Sequence, residues 1–210
     1  MRKAALITGS AKRLGAYIAN VLAMHGYDIV IHYNRSCEDA FSLREKLRND
    51  YGISVELYQE DFLASNDLSK IIEYSFQIFP HLCLLVNNAS FFLQDNFGSD
   101  VERLFDVYYK IHVRVPLSLM RHFSKREPKN GKIINIIDKL INRKSSNKYF
   151  SYLFSKKCLF QLTQMVDDYM SSKGMKVYAI HPGIVIMEDG GYNYNELKKL
   201  GDELVKAITN

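Results

Sequence analysis

The sequence predicts an α/β fold built on one doubly wound parallel sheet, and three observations carry that prediction. Short β-branched runs alternate with longer amphipathic stretches along the whole chain. Several of the runs are apolar almost without interruption, as strands are when helices cover both faces of a sheet. The first run passes through a glycine-bearing turn straight into a helical pattern, an arrangement that offers free backbone N–H groups to an anion. Such alternation gives right-handed crossovers and a three-layer αβα, Rossmann-type architecture. Its ligands bind at the carboxyl ends of the strands, where strand order reverses.

The strands expected in order are "AALITG" (4–9), "DIVIHYN" (28–34), "SVELYQ" (54–59), "LCLLVNN" (82–88), "KIINIID" (132–138) and "KVYAIHP" (176–182). Amphipathic helices are expected between and after them, over 14–25, 38–49, 68–79, 101–123, 149–172 and 195–209. No repeat, low-complexity tract or linker interrupts the pattern, so residues 1–210 read as one domain, with Met187–Asn195 as its loosest loop. Apolar content of 47% and charged content of 24% suit a soluble globular chain. No apolar stretch nears the roughly 20 residues of a membrane span, and the apolar part of "MRKAALITGS" is too short for a secretory signal. Cys37, Cys83 and Cys158 are far apart, with neither disulfide nor metal-ligand spacing, which points to a cytoplasmic protein without a metal. The net charge of +5 is scattered rather than clustered, so an anionic cofactor explains it better than nucleic acid does.

The residues after each strand decide the ligand. In the first turn Gly9 can take the tight bend, while Ser10, Arg13 and Leu14 open the helix toward a pyrophosphate, although plain strand–turn–helix chemistry gives the same look. After the second strand an NAD site would carry an acid for the ribose 2′-OH. Here Tyr33, Asn34, Arg35 and Ser36 stand instead, and a guanidinium with a hydroxyl suits a 2′-phosphate, so NADPH is the expected cofactor. Ser36 could equally cap the next helix. Glu60 and Asp61, followed by Phe62, could hold an adenine by its exocyclic amine, and Asn88, Ala89 and Ser90 lie where a dinucleotide would cross the sheet edge.

Reduction of a carbonyl or imine also needs a proton donor, and a Tyr with Lys four residues on shares one helix face. Three such pairs occur: Tyr152/Lys156, Tyr169/Lys173 and Tyr194/Lys198. With 14 Tyr and 18 Lys, spacing alone decides nothing. Position does, because only Tyr152 lies near the start of the helix that follows the fifth strand, close to the carboxyl edge.

Taken together, "TGSAKRLG", "NNAS", "YLFSK" and "HPG", in this order and each at its strand end, resemble the short-chain dehydrogenase/reductase superfamily over about residues 3–187. Arg13 in place of a loop glycine, "HYNRS", "NNASFF" and Asp138 in place of the usual serine look like the pteridine reductases within it. His112 in "IHVRVP", where the superfamily has Asn, is similar to the bacterial dihydromonapterin/dihydrofolate reductase branch. The resemblance implies roles for this chain's residues. Arg13 touches pyrophosphate and pterin, Ser90 contacts phosphate and pterin, and Phe92 stacks on the pterin opposite the nicotinamide. Tyr152 and Asp138 manage protons, with His112 beside them. Lys156 holds the nicotinamide ribose and lowers the Tyr152 pKa, and Pro182, Gly183 and Ile184 line the nicotinamide end. A guanidinium can meet phosphate oxygens and a pterin's polar edge together, and an aromatic ring supplies the second face of a sandwich.

Blander readings stand beside these: Asp138 as a turn cap, Phe91 and Phe92 as core aromatics, His112 as a satisfied helix histidine, and Arg114 and Arg143 as surface residues. The superfamily continues past "PG" with a substrate-covering helix and a seventh strand. Here a single amphipathic segment follows, so no seventh strand is expected, the sixth becomes an edge, and a homodimer on the fourth and fifth helices is more secure than a homotetramer. The expected activity is NADPH-dependent reduction of a dihydropterin or dihydrofolate. The alternatives are a reductase of another carbonyl, such as a 3-oxoacyl thioester, and an NADPH-binding protein without catalysis.

Overall fold

The computed structural model describes residues 2–98, 101–143, 148–185 and 191–210. Its strands are β1 (Lys3–Ile7), β2 (Tyr27–Tyr33), β3 (Val55–Gln59), β4 (Leu82–Asn87), β5 (Lys132–Ile136) and β6 (Lys176–Ile180). They form one sheet in the order β3-β2-β1-β4-β5-β6, every pair parallel. The helices between and after them are α1 (Arg13–Met24), α2 (Cys37–Tyr51), α3 (Ser69–Ile78), α4 (Val101–Tyr109), α5 (Val115–Lys125), α6 (Phe150–Met165), α7 (Asp167–Ser172) and α8 (Tyr194–Thr209). Each predicted strand and helix is therefore present, with ends shifted by one or two residues. Residues 187–190 of the loop expected at 187–195 lie outside the described residues, and its last two, Tyr194 and Asn195, already belong to α8. Among the described residues no strand flanks β6, so β6 is an edge, as expected.

Strand alternation sorts the apolar side chains into two layers. Ile7, Ile29, Ile31 and Val86 pack under α1 and α8, while Leu6, Val30, Leu85 and Ile133 pack against the α3, α5 and α6 side. All seven residues of β2 are buried, the signature of a strand covered on both faces. Strand order reverses between β1 and β4, so the loops after these two strands open onto one crevice.

Two helices expected to be continuous are broken. The stretch 101–123 carries a π-helical turn, Lys110–Arg114, between α4 and α5. Pro116 lacks the N–H that would bond the carbonyl of His112, and its ring would clash with that carbonyl in a regular helix. The wider turn removes the conflict and buries His112. The stretch 149–172 breaks at Val166, which sits at φ −90°, ψ −5°. The chain restarts with Asp167 and Asp168 at the positive end of α7, and Met170 turns into the core beside β6.

Candidate active site

The β1–α1 loop is held from three sides. Gly9 adopts φ 62°, and a Cβ there would lie 2.9 Å from the Ala89 Cα, so both conformation and space require glycine. Gly15 is tighter still, since its Cβ would stand 2.3 Å from the Gly9 carbonyl oxygen. Asn88 donates from Nδ2 to the carbonyls of Thr8 (2.9 Å) and Gly9 (3.0 Å). Thr8 Oγ1 in turn accepts the N–H groups of Asn88 and Ala89, both at 2.9 Å.

The third anchor, His32, is one that sequence reasoning missed. Its Nδ1 accepts from Gly9 N–H at 3.0 Å, its carbonyl accepts from Ser10 N–H at 2.9 Å, and its Nε2–H donates to the Glu60 carbonyl at 3.1 Å. Burial drives its pKa down to about 4, so the imidazole is neutral and able to accept. The available signal was a lone histidine after the apolar run Ile29–Ile31, two residues before Asn34. The unfolded imidazole binds its proton near pH 6.5 and the folded one near 4, so the unfolded state holds more protons between them. Stability is then full above pH 6.5 and falls as pH drops through that window, by about 3 kcal/mol from this group. Urea midpoints across pH 4–7 test this, and a His32→Phe variant, which keeps the ring but not the acceptor, should lose most of the slope.

Predicted cofactor residues divide into those the crevice offers and those turned away. Arg35 is exposed, with no hydrogen bond or ion pair among the described residues, and Ser36 sits at the N-cap of α2 without making a side-chain cap bond. Both remain available at the end of β2, with exposed Asn34 between them and the sheet. Tyr33, by contrast, is buried, its hydroxyl 3.7 Å from Cys37 Sγ. Ser10 is also unsuited to phosphate contact: its hydroxyl is fully buried on the Ile7 carbonyl at 2.8 Å, and its N–H is spent on His32. Phe62 stacks flat on His32 at 3.9 Å inside the core rather than facing an adenine. Asp61 Oδ1 accepts from Leu63 N–H and closes its own turn. Leu14 is half-buried behind the loop, and exposed Ile184 ends the segment after β6. There Pro182 accepts from Lys139 N–H, and the Gly183 N–H is taken by Glu196 Oε2 of α8 at 3.2 Å. Glu196, held down to about 2 by Lys139 and Lys199, pins α8 to that segment.

Arg13, the first residue of α1, is exposed at φ 54°, a left-handed conformation that favours glycine. Such strain costs about 1 kcal/mol or more and persists where function requires the side chain. Arg13→Gly should therefore raise the unfolding free energy by about 1 kcal/mol while weakening ligand affinity. Chemical denaturation together with ligand titration checks both signs.

Across the crevice, Tyr152 Oη donates to Asp138 Oδ2 at 2.7 Å, while Asp138 Oδ1 accepts from Leu140 N–H at 2.7 Å. Asp138 thus caps the 3-10 turn Lys139–Asn142 and binds the phenol at once. Lys156 Nζ is buried on the Ile136 carbonyl at 2.7 Å and lines a cavity of about 10 Å³ with Thr8, Asn87 and His112. Asn87 Oδ1 in its wall is buried without a partner, so the cavity has polar groups for a single water. The expectation that Lys156 lowers the Tyr152 pKa is not met. Burial first and the Asp138 carboxylate second push the phenol well above its ordinary range, while desolvation takes Lys156 down to about 8. Asp138 is the phenol's direct proton partner, and Lys156 points to the strand backbone instead.

The two phenylalanines after β4 separate cleanly. Phe91 stacks on buried Tyr108 at 4.4 Å, an ordinary packing role. Phe92 is half exposed, stacked on Tyr149 at 4.3 Å and edge-on to Tyr152 at 4.8 Å, so it stands at the lip above the phenol. Exposed Ser90 approaches His112. The rival pairs are elsewhere: Lys173 is bound to Glu127, and Tyr194 is exposed on α8. Arg114 and Arg143 are exposed, and the Arg143 carbonyl accepts from Lys157. Among the described residues no cluster of metal ligands forms, and no helix is long and apolar enough to cross a membrane.

A glycine-tight loop at the switch point, a buried lysine and a tyrosine on a carboxylate at the same edge define an oxidoreductase of the nicotinamide type. Residues 3–189 match the short-chain dehydrogenase family model, and the chain belongs to that family. It is 26% identical over 188 residues to the uncharacterized oxidoreductase YmfI of Bacillus subtilis, covering 88% of this chain and 76% of that one. It is 22% identical over 210 residues to the 3-oxoacyl-[acyl-carrier-protein] reductase FabG of Staphylococcus epidermidis, covering 99% and 84%. The crystal structure of FolM alternative dihydrofolate reductase 1 from Brucella suis, in complex with NADP, superimposes with a TM-score of 0.87 at 27% identity, covering 99% of this chain and 88% of that one.

Proposed function

We propose that the protein is an NADPH-dependent reductase of a pterin-type substrate, a dihydropterin or dihydrofolate. The observation that carries this reading is a half-exposed Phe92 at the lip beside a Tyr152 that is bound to a carboxylate rather than to a serine. The crevice suits NADPH: the β1–α1 turn runs into a helix N-terminus that can receive a pyrophosphate, and Arg35 with Ser36 are uncommitted where a 2′-phosphate would lie. When bound, the cofactor supplies the hydride. Lys156, with ammonium protons to spare beyond its bond to Ile136, would hold the nicotinamide ribose, and Arg13 would meet phosphate and the substrate rim.

Reduction of a C=N bond needs one proton on nitrogen. Tyr152 delivers it from a phenol that stays protonated at neutral pH, and half-buried Asp138, in touch with solvent, returns a proton to the phenol. A carboxylate serves this relay better than it would serve a developing oxyanion, which argues against a keto substrate. The likeness to FolM, itself solved with NADP, supports the same reading.

Exposed Tyr109 and Phe154, with Phe105 stacked on Tyr109 at 6.5 Å and packed on Phe154 at 5.1 Å, form an apolar patch on α4 and α6 that fits a homodimer interface. The unpaired cysteines suit the cytoplasm.

Steady-state NADPH oxidation with dihydromonapterin, dihydrobiopterin, dihydrofolate and an acetoacetyl thioester tests the assignment. Turnover of a dihydropterin or dihydrofolate well above the thioester is expected. Preference for the thioester would move the substrate to a keto group, and tight NADPH binding without any turnover would remove catalysis.

A further inference from the structure

The segment that carries Phe92 has no regular structure, yet the three residues after Phe92 are each tied to a helix. Leu93 N–H donates to Tyr108 Oη of α4 at 2.6 Å, and that hydroxyl donates to the Leu93 carbonyl at 3.0 Å. Gln94 donates from Nε2 to Tyr149 Oη at 3.3 Å. Asp95 forms a parallel bridge with Tyr149, its N–H donating to the Lys148 carbonyl at 2.9 Å. Its carboxylate accepts from Ser151 N–H, at 3.2 Å to Oδ1 and 3.1 Å to Oδ2. The helix α6 starts at Phe150, and Tyr149 at its N-cap makes no side-chain cap bond. Ser151 N–H is one of the donors that a first helical turn leaves over. Asp95, 56 positions earlier in the chain, supplies the missing acceptor at the positive end of the helix. Tyr108 is fully buried and Asp95 nearly so, whereas Leu93 and Phe92 are both half exposed. An exposed strap is thus bolted down by two buried side chains.

These anchors put the aromatic wall and the phenol on one frame. Phe92 stacks on Tyr149 and stands edge-on to Tyr152. Tyr149, Ser151 and Tyr152 all lie at the start of α6, and Tyr108 packs edge-on against Tyr152 at 5.7 Å from α4. We propose that Tyr108 and Asp95 are positioning residues that lock Phe92 at a fixed offset from Tyr152, so that the slot offers a planar ring a preformed wall rather than a flap that must close. This rests on the pterin-type reading for the identity of the ring. Both residues act through the strap and not on the ligand. An unanchored strap of exposed residues would sample many positions, and the substrate would bind only the fraction with the wall in place. KM would then rise by the inverse of that fraction, while kcat of the filled site would hold. Among the described residues the strap is bonded to α4 and α6 and not to the β1–α1 loop, so NADPH affinity would hold as well.

The test combines hydrogen exchange with kinetics. Tyr108→Phe keeps the buried ring and deletes both bonds to Leu93, and Asp95→Ala deletes the acceptor for Ser151. By NMR, the Leu93 amide in the first variant and the Ser151 amide in the second should exchange about tenfold faster, with β1 and β4 amides unchanged. Each variant should raise KM for dihydrobiopterin about fivefold, the size of one lost hydrogen bond, with kcat and the NADPH Kd each within about twofold. Asp95→Asn should keep KM within about twofold, because its amide oxygen can accept from the same N–H. Unchanged exchange in both variants overturns the lock, and an unchanged KM despite faster exchange overturns its role in the slot. A loss of kcat or of NADPH affinity as large as the change in KM also overturns it, since both residues would then be general props. If the wild type turns over no dihydropterin, the pterin reading falls, and the exchange arm still decides whether the strap is locked.

Discussion

Tyr152→Phe should reduce kcat about a thousandfold while the NADPH Kd stays within twofold, the loss expected for a deleted general acid. The geometry sets both halves of that expectation. The phenol oxygen donates to Asp138 and its ring lies edge-on to Phe92, and neither partner belongs to the phosphate loop. Removing it therefore costs a proton and not a binding surface. Stability should change by about 1 kcal/mol or less, because half-buried Asp138 Oδ2 can take water in place of the phenol. Asp138→Asn then separates relay from cap. The amide oxygen can still accept from Leu140 N–H, so the turn survives. A hundredfold drop in kcat with the fold intact would place Asp138 in the proton path, whereas full activity would reduce it to a helix cap. Stopped-flow single turnovers with NADPH in excess make the comparison free of product release.

Much of this site could be read in the sequence because its main features are local. A glycine turn after an apolar run, a Tyr and Lys on one helix face, and two aromatics after "NNAS" are short-range patterns, and each lies where the strand order predicted. What escaped depends on long-range packing. His32 looks like any strand residue until its imidazole is seen to accept from Gly9, 23 positions away in the chain. Ser10 reads as a phosphate ligand until its hydroxyl is found turned inward onto Ile7. Phe62 reads as a cofactor contact until it is seen flat against His32. The interruption after Tyr109 follows from Pro116, which periodicity over 101–123 overrode. The Tyr152–Lys156 spacing puts both residues on α6, but spacing says nothing about which neighbour controls the phenol. That depends on where β5 ends and how deeply each side chain is buried.

Lys156→Met should give a protein that is more stable and inactive. The ammonium is fully buried, touches one carbonyl, and has its pKa lowered from 10.5 to about 8 by desolvation, only partly offset by Asp138. A downward shift of that size corresponds to about 3 kcal/mol of cost in keeping the charge buried. Methionine fills a similar volume without a charge, but it leaves the Ile136 carbonyl with one bond fewer, which returns about 1 kcal/mol. The net gain is about 2 kcal/mol, or a rise in Tm of about 6 °C for a chain of this length. The pH dependence has a definite sign. Folding favours the neutral amine, so the unfolded state binds more protons between pH 8 and 10.5. The wild-type penalty is therefore complete below pH 8 and is relieved as pH rises through that window. The variant's advantage should be largest at pH 7 and should shrink toward pH 10, where Tyr27 and Tyr108, raised to about 12, begin to destabilise both proteins alike. Calorimetric scans of both proteins from pH 7 to 10 read this directly. A methionine variant less stable than wild type at pH 7 would mean that the ammonium is satisfied inside the fold. Lys156 would then be a structural residue rather than a strained one kept for its ligand.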